Sequence, residues 1–142
     1  MTGRQNVRFV CCLYSSGDYI DEKIRFVEEF ADVGKYFDMP VKSYSSGMRA
    51  RLTFGLSLAF DFDYYMLDEV GALGDAAFRK RSEEILQARR EQAGFLVVSH
   101  NLGDIERNCD VGIVLMDQMA RVFHNVKEAI EVYKEHVHQT KK

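Results

Sequence analysis

Apolar positions in the first sixty residues recur at helix spacing. Val7, Val10, Cys11 and Tyr14 fall at i, i+3, i+4 and i+7. Thr2 and Gln5 form a capping box, so a helix is predicted to start at Thr2. Ser15-Ser16-Gly17-Asp18 interrupts it. A second helix carries Ile20, Ile24, Val27 and Phe30 inward and ends near Gly34. A loop holding Pro40 leads to Ser45-Ser46-Gly47, where a third helix begins and runs to about Ala59. Met48, Leu52, Gly55, Leu56 and Ala59 share its inner face, with Arg49 and Arg51 off it.

Beyond residue 60 the pattern changes to short apolar runs. Tyr64-Tyr65-Met66-Leu67, Phe95–Val98 and Val111–Met116 read as strands. Helical stretches of mixed charge, about Asp75 to Gln92 and Leu102 to Asn108, join them. Apolar strands alternating with helices predict a parallel sheet buried on both faces. Asp117-Gln118 reads as a tight turn into an antiparallel edge strand, Met119–Phe123. A last helix is capped by Asn125, with Glu128 at the capping-box position. Val126, Ala129, Ile130, Tyr133 and Val137 form its apolar stripe, and the tail 139–142 is polar.

Composition narrows the class. The chain has 142 residues, 46% of them hydrophobic and 29% charged, a globular composition. Its net charge of −3 argues against a dedicated nucleic-acid binder, which would show a basic balance. No apolar run approaches the roughly 20 residues that span a bilayer, and the first six residues lack a signal-type apolar stretch. Cys11, Cys12 and Cys109 form no CxxC pair and read as small core residues in a reducing compartment.

Three places carry candidate chemistry. The strand ending in Asp68-Glu69 puts two carboxylates at the edge where open α/β sheets bind ligands. Asp68 there can hold Mg²⁺ and Glu69 can polarise a water; read alone, the same residues also describe a strand ending in a solvated acidic turn. Ser45-Ser46-Gly47 offers a helix N-terminus with hydroxyl donors and a glycine that permits close approach of an anion. It also reads as a plain serine cap. Val97-Val98-Ser99-His100 brings His100 to the same edge as Asp68, where a histidine can equally be structural.

The order of these places resembles the ATP-binding subunit of ABC transporters. Tyr44, Ser45, Ser46, Gly47 and Met48 occupy the place of the signature motif, which closes over ATP held by a partner subunit. Tyr64–Asp68 is similar to the Walker B strand, with Asp68 as the Mg²⁺ carboxylate and Glu69 as the catalytic glutamate. Gly71–Asp75 is similar to the D-loop, with Asp75 coupling two subunits, and His100 to the switch histidine that contacts the γ-phosphate. The run 44–51 and the start Thr2–Val7 resemble the capsular-polysaccharide exporters in particular. Met48 stands where many ABC proteins have Gln, and Val70 where many have Pro.

That resemblance implies a partial P-loop NTPase fold of class α/β, with a helical subdomain followed by parallel strands and flanking helices. Residues 2–60 would form the helical subdomain, 61–138 the second part of the ATPase core, and 139–142 a tail. The P-loop pattern Gly-x-x-x-x-Gly-Lys-Ser/Thr does not occur; Gly34-Lys35 is followed by Tyr36. The chain is therefore expected to be the portion after the Q-loop, with apolar surface uncovered. The resemblance further implies ATP and Mg²⁺ as cofactors, and a membrane subunit and a second ATP-binding subunit in head-to-tail arrangement as partners. It implies no nucleic acid, and a peripheral place on the cytoplasmic side of the bacterial inner membrane. An inert fragment acting only by pairing is the alternative. A soluble repair-type ABC ATPase fits less well, because no long heptad stretch is present.

Overall fold

The computed structural model describes residues 1–14, 19–68 and 74–140. Among the described residues six α-helices and four strands follow one another as α1 (Gly3–Tyr14), α2 (Ile20–Ala31), α3 (Ser46–Leu58), β1 (Tyr64–Asp68), α4 (Ala76–Arg89), β2 (Gly94–Val98), α5 (Leu102–Asn108), β3 (Gly112–Met116), β4 (Met119–Phe123) and α6 (Val126–Thr140). Two compact units result, Met1–Tyr65 with Val70–Gly94, and Met66–Glu69 with Phe95–Lys142.

In the first unit the helix-spaced apolar residues form the core. Val7, Cys11, Ile24, Val27, Phe37, Tyr44 and Leu52 pack in one cluster, with Val10, Ile20, Met48 and Leu56 partly buried against it. The predicted capping box forms in both directions: the Thr2 N–H donates to Gln5 Oε1 at 2.9 Å, and the Gln5 N–H donates to Thr2 Oγ1 at 3.2 Å. Helix α2 stops earlier than Gly34. Asp32 takes the left-handed conformation, φ 48°, and its N–H bonds the Glu28 carbonyl. Two 3-10 turns, Gly34–Asp38 and Val41–Ser43, then carry the chain past Pro40 to α3. The expectation of three core cysteines holds for Cys11 only; Cys12 is exposed and Cys109 half-buried.

Arginines bind this unit together. Arg4 reaches Glu28 and Asp38, each at 2.7 Å, tying α1 to α2 and to the first 3-10 turn. That contact lowers the Asp38 pKa below the ordinary aspartate value. Arg81 of α4 donates to the Glu29 and Phe30 carbonyls at 3.0 and 3.3 Å, at the end of α2. Arg89, also on α4, donates to the Leu58 carbonyl at 3.3 Å and pairs with Asp61, at the end of α3. A cation at a helix C-terminus satisfies carbonyls that have no intrahelical donor and complements the negative end of the dipole.

Strands β1 and β2 pair. The Gly94 N–H donates to the Asp63 carbonyl at 2.8 Å, so the two strands start side by side and run parallel. In the second unit β3 pairs with β4 antiparallel, in the register Ile113↔Val122 and Leu115↔Ala120. The turn between them has positive φ at both Asp117 and Gln118, the geometry of a two-residue hairpin whose twist matches its strands.

The sheet departs from the sequence expectation in two respects. β3 lies in a two-stranded sheet with β4, separate from β1–β2, rather than in one parallel sheet. Nor are the strands buried on both faces. Val114 and Met116 face α6 and pack on Ala129, whereas Ile113 and Leu115 are 55% and 77% exposed. Met66, Leu96 and Val98 are exposed as well. Elements packed on one face leave alternate side chains in solvent because strand periodicity is two. This matches the expectation of uncovered apolar surface.

Candidate functional site

Helix α3 begins in an extended segment that ends at Ser45, φ −64° and ψ 166°. The Ser45 Oγ accepts from the Met48 N–H at 3.2 Å, an ordinary N-cap. Helix geometry leaves the Ser46 and Gly47 N–H groups without intrahelical acceptors, and both residues are exposed. This end of α3 is thus a pair of outward donors at the positive end of a dipole. Tyr44 faces the other way. Its ring is buried, its hydroxyl donates to the Tyr36 carbonyl at 2.7 Å, and burial raises its pKa. Met48 is half-buried against the core. Tyr44 and Met48 therefore clamp the two sides of the turn, and Ser45, Ser46 and Gly47 present it.

Gly47 stands apart among the helical glycines. A Cβ added there would meet only Ser45 Oγ, at 3.9 Å, whereas at Gly55 it would lie 2.8 Å from the Phe30 ring. Packing within this chain thus explains Gly55 and does not explain Gly47. Glycine inside a helix costs about 1 kcal/mol relative to alanine, so its presence at an exposed first turn fits a site that a ligand approaches closely.

Asp75 is fixed by two donors. Its Oδ1 accepts the Phe78 N–H at 2.9 Å, capping α4, and its Oδ2 pairs with Arg51 Nη2 at 2.7 Å. The Phe78 N–H, then Arg51, hold its pKa below the ordinary aspartate value. Arg51 also lies 5.0 Å over the Phe78 ring, which is buried against Phe30 and Phe54. The structure thereby ties α3 to the start of α4 through Arg51 and Asp75. Sequence periodicity placed Arg51 off the buried face and missed this. Its acidic partner lies 24 residues on, beyond the reach of any helical spacing; the one signal in the sequence is an arginine six residues after the Ser45 cap.

Asp68 ends β1 with its side chain exposed. His100 is exposed two residues beyond the end of β2. Since β1 and β2 are parallel, both residues sit at the carboxyl edge of that strand pair, as their order along the chain predicts. Glu69, Val70 and the first three D-loop residues, 71–73, lie outside the described residues. Among the described residues no three His, Cys, Asp or Glu side chains converge as a metal cage. A single exposed carboxylate does fit Mg²⁺, which is commonly held by one or two carboxylates with substrate phosphates and water. No described helix is long and apolar enough to cross a membrane.

No family model matches the chain. It is 51% identical over 135 residues to the polysialic acid transport ATP-binding protein KpsT of Escherichia coli, covering 94% of this chain and 60% of that protein. It is 40% identical over 136 residues to the ATP-binding protein BexA of Haemophilus influenzae, covering 95% and 61%. The capsule polysaccharide export ATP-binding protein CtrD of Neisseria meningitidis is 41% identical over 133 residues, covering 94% and 61%. A solved ATP-binding subunit of an ABC transporter superposes with a TM-score of 0.72 at 17% identity, covering all of this chain and 63% of that one. The chain thus spans about 60% of the length of the curated relatives it matches. An α/β fold of ABC-ATPase type, carrying this sequence identity across nearly its whole length, makes the chain a homologue of the ABC transporter ATP-binding proteins of capsule polysaccharide export.

Proposed function

We propose that this chain supplies the nucleotide-closing and water-activating portion of an ATPase that drives export of capsular polysaccharide. The observation that carries the reading is the start of α3. Ser46 and Gly47 present outward N–H groups, and Gly47 has open space that the fold itself does not require. Such a surface suits the phosphates of an ATP held by a second ATP-binding subunit. Asp68 would hold Mg²⁺, which when bound neutralises phosphate charge. Glu69 would orient the attacking water and accept its proton. His100 would contact the γ-phosphate. Asp75, held rigid by Phe78 and Arg51, would couple the two subunits. The helical part, residues 2–60, would meet a membrane subunit, placing the protein on the cytoplasmic side of the inner membrane.

A second reading rests on the missing phosphate cradle. Phosphoryl transfer depends on positioning and electrostatic stabilisation, and this sequence contains no P-loop. Alone, the chain would then be inert and would act only by pairing with other chains. Titrating the purified chain with a fluorescent ATP analogue, and assaying phosphate release, tests both. We expect no binding at micromolar nucleotide and no turnover. Tight binding by the chain alone would overturn the cradle argument. With a P-loop-bearing portion supplied, hydrolysis is expected, and Glu69→Gln should abolish turnover while nucleotide stays bound. Turnover at the parent rate in that variant would remove Glu69 from its role, and failure of the supplied portion to yield any hydrolysis would favour the inert reading.

A further inference from the structure

Strand β3 ends and β4 begins on a methionine. The register pairs Met116 with Met119 across the turn. Residues directly opposite in an antiparallel pair share one face, with Cα atoms about 5.5 Å apart when hydrogen-bonded. Met116 is buried on the face that packs against α6, so Met119 stands on that face too. The turn that sets them opposite holds Asp117 and Gln118 at φ 50° and 61°. The left-handed region costs a residue with a side chain about 1–2 kcal/mol. A longer loop would relieve that strain but would shift the pairing.

Helix α6 brings a third donor. Gly112 lies against Ala129, and Val132 packs on the cluster of Val114, Met116 and Ala129. His136 continues the same helical stripe, at i+7 from Ala129. Seven helical residues advance about 10.5 Å, and the strand from Gly112 to Met116 advances about 13 Å. His136 therefore stands over the methionine pair. All three residues line one open hollow of about 560 Å³, together with Asp117. Met119 is 56% exposed, so it is not filling the core, the usual work of methionine.

Two thioethers and an imidazole are a soft donor set. Thioethers select Cu(I), and imidazole suits copper as well. Zn²⁺ takes thiolate, imidazole and carboxylate, and among the described residues no cage of His, Cys, Asp or Glu forms. We propose that Met116, Met119 and His136 form a binding site for one Cu(I) ion, with the Asp117 carboxylate at the turn balancing its charge. The site is built within β3, β4 and α6 and does not depend on the nucleotide reading.

The test adds Cu(I), without oxygen, to the full chain after its accessible thiols are alkylated, so that Cys12 and Cys109 do not compete. Bicinchoninate competition reads affinity, and NMR of labelled methionine methyl groups and histidine rings reads the ligands. We expect one equivalent to bind and to shift the methyl resonances of Met116 and Met119 and the ring protons of His136. Met66, 77% exposed on β1, should not shift. Met119→Leu and His136→Gln should each weaken binding at least ten-fold, and Met66→Leu should leave it unchanged. Leucine nearly conserves the volume of methionine, and circular dichroism checks that each variant stays folded. Absence of stoichiometric binding overturns the proposal. So does parent affinity in Met119→Leu or His136→Gln, an equal shift at Met66, or the same methyl shifts with Zn²⁺.

Discussion

The helical body and the β3–β4 hairpin solve the same burial problem to different extents. In the body, Val7, Val27 and Phe37 are fully buried and Gly55 lies tight against the Phe30 ring. In the hairpin, one face is packed on α6 and the other carries Ile113, Leu115 and Val122 in solvent. Folding alone explains the residues of the first region. The outer face of the second, like Gly47 at the start of α3, has residue choices that this chain's own packing leaves unexplained. Such residues are candidates for contact with other molecules.

The sharpest way to break this contrast is to cut the core of the body. Phe37→Ala should destabilise the chain by about 3–5 kcal/mol, read from urea unfolding by circular dichroism. A loss under about 1 kcal/mol would mean that Phe37 is not the filler its burial implies. Next comes the pair of helical glycines. Gly55→Ala should cost about 1–3 kcal/mol, because its Cβ meets the Phe30 ring. Gly47→Ala should change sign and stabilise by up to about 1 kcal/mol. Equal effects at the two sites would erase the distinction on which the candidate site rests.

Acid unfolding offers a finer probe. Asp75 has a lowered pKa in the folded state. Its contribution is therefore fully present above the unfolded aspartate value, near 4. It is lost as pH falls through the lower folded value. Asp75→Asn keeps an acceptor for the Phe78 N–H and removes the titration. Stability measured from pH 6 downward should then fall less steeply below about pH 4 than in the parent. An unchanged slope would detach Asp75 from that limb. The smallest effect belongs to the hairpin. Leu115→Gln should alter stability by less than about 0.5 kcal/mol, and a larger loss would show that the face is already covered.

Much of the fold was legible in the sequence because it is local. The Thr2–Gln5 box, the inward faces of α1, α2 and α3, and the Asp117-Gln118 turn follow from spacings of a few residues. Strand pairing is not local. Three apolar runs look alike in sequence, and nothing in Val111–Met116 distinguishes a strand beside β2 from one paired only with β4. The site divides in the same manner. Ser45 as a cap, and Asp68 and His100 at strand ends, follow from their positions within one element. The Arg51–Asp75 link and the inward turn of Tyr44 depend on contacts between elements, which periodicity does not report.

One consequence concerns the order in which the chain is made. Arg81 closes the end of α2 from 52 residues downstream of Glu29, and Arg89 closes the end of α3 from 31 residues downstream of Leu58. During synthesis from the N-terminus, α2 and α3 leave the ribosome with these carbonyls still bonded to water. Their stops are completed only after α4 has emerged. A pause in translation before residue 81 would therefore expose a helical body with two frayed ends, and the folded unit is set by the arrival of two guanidinium groups.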